Sequence, residues 1–538
     1  MSHSDRGLRR LAAGTLLAAF EGTTAPDWVL RELENGLGGV TLFGFNVTEP
    51  DALAELTASL RAAGDPVVSL DEEGGDVTRL AYHVGSPYPG NAALGAVDDP
   101  DLTRRVYRAI GAELVACGVN LDMAPDADVN TAADNPVIGT RAFGDDPELV
   151  ARHTVAAVEG LQAVGVAACV KHFPGHGATT VDSHLDVPFV DVPLDVLRAR
   201  ELAPFRAAVA AGTKSIMTAH VAVPALTGDR PATLSSAALT GLLRGELGYR
   251  GVVISDALDM QAITDGVGLA EGAVQSLAAG ADLLCLGPKP GPEDVAGIIE
   301  AIMAAAREGR LPVERLEEAA ARTTALRTWF GTRAGAARAV RSAAAPESGH
   351  GDGTPPAGQN GGTPRAGQGG GTPQNAQGGG TSQDGQGVGT LEDGRGGGPV
   401  SIGLHAARRA VRLDGSAGPL TDPLVVEVDT PPTIAVGDVP WGVAPWLPQA
   451  EVLRVRPADA DAGALLERAT GRSLVVIVKD AHRYADSRAL VSALVAARPD
   501  TIVVEMGLPV WRPGSAAYIA TYGAARANAQ AAMELLTA

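Results

Sequence analysis

AACVKHFPGHGATTVDSH, residues 167–184, decides how the chain is read: a short apolar run ends in Lys171 and His172 and then meets a Pro-Gly break. Near-continuous hydrophobicity is what a parallel strand covered on both faces requires. Seven more such runs flank it: TLLAAF (15–20), GVTLFG (39–44), VVSL (67–70), NLDMAP (120–125), SIMTAH (215–220), GVVISD (251–256) and DLLCLG (282–287), with helical stretches between them. Eight β/α units in about 330 residues predict an α/β fold of the (β/α)8 barrel type, whose active site gathers at the C-terminal ends of its strands. Asp71, Lys171, His172, His220 and Asp256 stand at such ends. An open doubly wound sheet gives a similar alternation and is the second reading of the periodicity.

At 538 residues the chain exceeds one ordinary core, so at least two domains are expected. We assign the barrel to 1–340, a Gly-rich disordered linker to 341–399 and a smaller α/β sandwich domain to 400–538. In the linker Thr354, Thr363, Thr372, Thr381 and Thr390 recur nine residues apart among Gly, Gln and Pro, a composition that buries no core. A calcium β-roll would need a regular Asp and an apolar residue in each repeat, and both are missing. In the last segment PLVVEV (423–428), EVLRVRP (451–457), SLVVIVKD (473–480) and TIVVEMG (501–507) read as strands between helical stretches. The polar cluster KDAHRY (479–484) follows one of them; between solvation on the surface and a face turned to the barrel, its composition favours solvation.

A formal charge of -20 lacks the basic face that nucleic acid or an anionic membrane surface would need. Cys117, Cys169 and Cys285 are an odd number without CxxC spacing and read as reduced core residues. RGLRRLAAGTLLAAF (6–20) has the charge and apolar run of a signal peptide but no small-x-small cleavage site. No apolar run approaches the roughly 20 residues that span a bilayer. A cytoplasmic monomer without nucleic-acid or membrane partners is expected.

Three chemistries compete for the opening stretch. As metal ligands, His172 and His176 flank Pro174 and Gly175, which cannot hold the helical i, i+4 geometry of an HExxH site, although loop histidines still bind zinc. Asp182, Ser183 and His184 are consecutive and cannot form a relay, and no GxSxG elbow occurs. As an acid/base pair, Asp182 and His184 lie two apart in an extended loop, on one side of the chain, so the carboxylate orients an imidazole suited to proton transfer near neutrality. Its partner would be Asp256, delivered by GVVISD to the barrel mouth, where a carboxylate can attack an anomeric carbon. Lys171 is one of only four lysines among 43 basic residues, which hints that a compact ammonium is needed there, as for sugar hydroxyls. Asp122, Asp126 and Asp128 in NLDMAPDADVN (120–130) read as buried caps in preference to a cation site, since loop glycines and a bidentate Glu are absent.

DEEGGDVTR (71–79), NPVIGTRAFG (135–144), KHFPGHGATTVDSH (171–184), PATLSS (231–236) and SDALDM (255–260) occur in order across some 190 residues. Together they resemble glycoside hydrolase family 3, in its NagZ-type, two-domain β-N-acetylglucosaminidase branch. The resemblance implies a (β/α)8 barrel and a retaining hydrolase without metal or cofactor, in which Asp256 is the nucleophile, His184 the general acid/base and Asp182 its dyad partner. It implies Asp71, Arg79, Arg141, Lys171 and His172 as ligands of a nonreducing-end N-acetylglucosamine, the glycan coming from peptidoglycan fragments or chitin-type oligosaccharides. Asp76 stands where many relatives have arginine. A phosphorylase using the same residues is the alternative enzyme, because a histidine acid/base repels phosphate less than a glutamate would. A sugar-binding protein without catalysis is the remaining class, with every catalytic position filled against it.

Overall fold

The computed structural model describes residues 5–344, 390–391 and 400–537. Eight parallel strands close into a barrel: β1 (Leu16–Ala18), β2 (Gly39–Thr41), β3 (Val67–Leu70), β4 (Leu121–Asp122), β5 (Ala167–Phe173), β6 (Ser215–Thr218), β7 (Val252–Ser255) and β8 (Leu283–Cys285), with β8 paired to β1. Their near-continuous hydrophobicity follows from burial on both sides. Leu17, Cys169, Met217 and Ile254 point inward, while their neighbours Leu16, Val170, Ile216 and Val253 join the core under the outer helices. The arginine-led start is part of this architecture: it forms the helix Asp5–Ala13 and then β1.

Helix boundaries are set by local chemistry. Asp99 and Asp146 accept hydrogen bonds from the first-turn amides of the helices Pro100–Ala116 and Pro147–Ala163, each with proline at its first position. The helix Val313–Ala344 lays Leu326, Trp329 and Phe330 against the inward-facing core. Beside β8, Asp282 takes Arg244 (2.5 Å), Arg322 (3.0 Å) and Arg315, a buried ionic knot away from the strand ends that carry the site.

The sequence assigned to a linker lies outside the described residues, except for its first four, which end that helix, and for β9 (Thr390–Leu391), antiparallel to β10 (Val400–Ser401). A separate six-stranded sheet follows: β11 (Arg412–Gly415), β12 (Leu424–Val428), β13 (Glu451–Val455), β14 (Leu474–Val478), β15 (Ile502–Glu505) and β16 (Ala517–Ala520), in the order β11-β16-β15-β14-β12-β13. All neighbours are parallel except β11 with β16. Val426 and Val476 face one buried layer, Val425 and Ile477 the other. The chain runs from β12 out to β13 on one side and then to β14 on the other, so the crevice between β12 and β14 is the switch point of the sheet.

This sheet is docked on the barrel. Ile402 and Ala406 of the helix Ile402–Ala410 enter the barrel's own core cluster, and Arg409 pairs with Asp99 at 2.5 Å. KDAHRY is therefore not simply solvated: Lys479 Nζ lies 3.2 Å from Asp76, and His482 Nε2 2.8 Å from the Ala133 carbonyl, both on the barrel. Only the opposing domain supplies these partners, so composition favoured the wrong reading.

Candidate active site

Each predicted site residue sits at or just beyond the C-terminal end of a barrel strand. Asp71 and Arg79 follow β3, Arg141 lies in the segment after β4, Lys171 and His172 end β5, His184 is in the loop beyond it, and Asp256 follows β7. These seven line one cavity of about 210 Å³. Asp182 stands behind His184.

Asp256 continues directly from β7, and its carboxylate accepts the Ala257 amide at 2.8 Å. Burial pushes its carboxyl up, but His220, His172 and His184 around it, with that amide, hold it below the usual range. It is an ionised carboxylate facing the cavity. His184 Nδ1 lies 2.7 Å from Asp182 Oδ1, which also accepts the His184 amide at 2.9 Å. Residues 182–186 form a turn, with the Leu185 and Asp186 amides donating to the Asp182 carbonyl, so the extended loop expected from sequence is replaced by an Asp-capped turn that brings the same two groups together. Burial raises the Asp182 carboxyl, yet the hydrogen bond from His184 leaves it below its usual range. With Nδ1–H committed to this carboxylate, Nε2 is the imidazole's working nitrogen.

The deeper wall is an ion network. Lys171 Nζ lies 2.6 Å from Asp71 and 2.7 Å from Glu73, and Arg141 grips Glu73 with Nε at 3.0 Å and Nη2 at 2.8 Å. Burial opposes every one of these charges, but the partners win: Lys171 and Arg141 are held above their ordinary values and Glu73 below. His172 Nδ1 donates to Asp128 (2.8 Å), leaving Nε2 to face Arg141 Nη2 at 3.3 Å. Burial and Arg141 push His172 down to about 4, so it is neutral and can accept through Nε2. Such rigid donors and acceptors suit the hydroxyl and acetamido groups of a sugar.

The three histidines of the opening stretch do not converge on one point. His176 is held by Thr179 Oγ1 at 2.7 Å and Ser183 Oγ at 3.0 Å and so anchors the loop that carries His184. Among the described residues, Asp126, Asp128 and His172 do bring three ligand atoms within 4.8 Å of one another. Arg141 already lies 3.8 Å from Asp126, and Asp128 accepts the His176 amide at 2.6 Å, so a further cation would meet a guanidinium and donors already engaged.

Residues 23–326 match the model of the glycosyl hydrolase family 3 N terminal domain. The chain belongs to glycosyl hydrolase family 3. It is a glycosidase. A beta-hexosaminidase of Nitrosomonas eutropha (strain DSM 101675 / C91 / Nm57) is 38% identical over 290 residues, 52% of this chain and 82% of that protein. Beta-hexosaminidase A of Pseudoalteromonas piscicida is 37% identical over 269 residues, 46% of this chain; the match spans only 45% of that relative's length. The solved glycoside hydrolase family 3 beta-N-acetylglucosaminidase from Paenibacillus sp. str. FPU-7 aligns with a TM-score of 0.79 at 32% identity, covering 98% of this chain and 96% of that one. That likeness takes in both domains.

Sequence reasoning passed over Glu73 in this family 3 site, and it named Asp128 only as a buried cap and His220 only as a strand-end polar residue, without the roles they take here. Glu73 lies within the quoted DEEGG motif, and its burial against Lys171 and Arg141 could have been suspected from three consecutive acids preceding a glycine pair. Asp128 fixes the His172 tautomer, and His220, held between Thr233 (2.8 Å) and the Ala257 carbonyl (2.9 Å), backs Asp256. Ile434 and Ala435, which also line the cavity, come from the second domain and carry no local signal.

Proposed function

We propose that the protein is a retaining β-N-acetylglucosaminidase that removes nonreducing-end N-acetylglucosamine from peptidoglycan fragments or chitin-type oligosaccharides. The observation that carries the reading is one cavity holding an ionised Asp256 and an imidazole, His184, whose Nδ1 is taken by Asp182. The names borne by the beta-hexosaminidase and beta-N-acetylglucosaminidase relatives support the substrate class.

In the first step Asp256 attacks the anomeric carbon while the His184 imidazolium gives its Nε2 proton to the glycosidic oxygen. The carbon–oxygen bond breaks, the leaving alcohol departs neutral, and a glycosyl ester remains on Asp256. The Asp182 carboxylate stabilises the imidazolium before transfer. In the second step neutral Nε2 takes a proton from water, the hydroxide attacks the anomeric carbon, and Asp256 is released. Asp71, Arg79, Arg141, Lys171 and His172 hold the sugar so that the attacking and leaving atoms are aligned.

Hydrolysis is favoured over transfer to phosphate because Arg79, Arg141 and Lys171 each face Asp71 or Glu73, so the cations that would attract phosphate are already engaged by carboxylates, and the ionised Asp256 stands in the same cavity. The test is turnover of p-nitrophenyl N-acetyl-β-D-glucosaminide with and without millimolar phosphate, identifying the sugar released. N-acetylglucosamine is expected in both; N-acetylglucosamine 1-phosphate with a clear rate increase would replace the hydrolase by a phosphorylase. A 5-fluoro glycosyl inhibitor should label Asp256, and a label elsewhere would remove it as nucleophile. Comparing muropeptides with chitobiose identifies the better natural substrate.

A further inference from the structure

In open α/β sheets the crevice at the C-terminal ends of the strands flanking the switch point ordinarily receives a ligand. Here the segments leaving β12 and β14, residues 429–442 and 479–484, carry contacts to the barrel instead. Lys479 Nζ approaches Asp76 Oδ2 at 3.2 Å, with the two side chains 14% and 3% exposed. Asp76 also accepts the Thr140 hydroxyl at 2.9 Å and, from the second domain, the Ala524 amide at 2.8 Å. One carboxylate therefore joins the segments after β3 and β4 to two separate elements of the other domain. Nearby, the Asp438 amide donates to the Tyr82 hydroxyl at 3.1 Å. Gly437 has φ of +72°, and a Cβ there would come within 2.7 Å of that hydroxyl, so the approach suits glycine.

What this docking brings to the cavity is residues 434–436. Ile434 and Ala435 line it, and Arg79 Nη2 donates to the Ala435 carbonyl at 3.0 Å, with Nη1 3.5 Å from the Val436 carbonyl. The same guanidinium stands 3.6 Å from Asp71. Arg79 is thus oriented by backbone carbonyls more than 350 positions along the chain. Asp76 has a reason in this arrangement: an arginine there would face Lys479 and leave the Ala524 amide without its acceptor.

We propose that residues 434–436, carried by segment 429–442, are a specificity-determining wall of the sugar pocket and that Asp76 and Lys479 form the latch that positions it. This rests on the reading of the cavity as a sugar site. The wall fixes Arg79 for the sugar and closes that side of the pocket, so the second domain helps to restrict cleavage to a terminal residue.

The test compares Lys479→Ala with Lys479→Arg in the full chain. Lys479→Ala is expected to raise KM for the aryl N-acetylglucosaminide about tenfold with kcat within about threefold, because wall and Arg79 hold the sugar alike before and during bond cleavage. Lys479→Arg, which keeps the charge, is expected to return KM to within about twofold of the parent. Amide hydrogen exchange across 429–442 and at Ala524 should quicken in the alanine variant and recover in the arginine variant, a readout that needs no substrate. Unchanged KM, unchanged exchange, or an equal rise of KM in both variants would overturn the latch. Failure of the parent enzyme to turn over the hexosaminide would instead overturn the substrate reading, and exchange alone would then decide the latch.

Discussion

Asp256 and His184 should fail in different ways. Asp256→Ala is expected to lower kcat/KM by a factor of about 10⁴ or more even for a nitrophenyl substrate, since no leaving group replaces a nucleophile. His184→Ala is expected to cost about 10² or more with an alkyl leaving group but to spare the first step with nitrophenol, leaving the second step limiting. Asp182→Asn should show a milder form of the same pattern. Equal losses with good and poor leaving groups would count against the dyad. Buried imidazoles give a pH prediction. Burial holds His172 near 4 and His176 near 3, both below the free value of 6.5, so the unfolded chain takes up these protons first. Their contribution to stability is complete above about pH 6.5 and is lost as pH falls toward 4 and 3. Both ring resonances should therefore stay constant by NMR from pH 8 to 5; titration near 6.5 would mean an open, hydrated site. These residue types were legible because strand-end polars stand out against apolar runs. Their tautomers were not, since the His172 tautomer depends on Asp128, 44 positions away.

Among the elements, the eight barrel strands were legible because burial on both faces writes itself as local hydrophobicity. In the second sheet β12, β14 and β15 were legible for the same reason, and the edge strand β13 from its apolar alternation; β11 and β16 were missed, β11 because all four of its residues are exposed, as an edge strand allows, and β16 because Ala517–Ala520 is a four-residue run that is half alanine. The decisive element for chemistry is the loop after β5, and it depends on close packing at its root. A Cβ on Gly177 would come within 2.0 Å of the Val129 carbonyl, a backbone atom that cannot rotate away. Gly177→Ala is expected to lower stability by about 2 kcal/mol and to displace the dyad, lowering kcat more for poor than for good leaving groups. Thermal unfolding and a leaving-group series measure the two effects; loss of stability with an unchanged series would separate the loop root from the dyad.

For the whole molecule, no helix among the described residues is long and apolar enough to cross a membrane, and the larger question is how two domains share one cavity. Because the Asp76–Lys479 pair is nearly buried, docking should resist salt: KM is expected to stay within about twofold up to about 1 M NaCl, where exposed pairs are screened over about 3 Å. A steep rise of KM with salt would mean that the interface opens to solvent. The sequence by itself determined the barrel, the second α/β domain and the identity of eight candidate site residues, because periodicity, strand-end polarity and short motifs are encoded between neighbours in the chain. Tertiary structure decided the rest. Closure of the sheet brings the ends of β3, β4, β5 and β7 around one cavity, and docking sets residues 434–436 beside Arg79. Both depend on packing between segments far apart in sequence, where hydrophobic burial supplies the driving force and only the folded geometry chooses which polar groups meet.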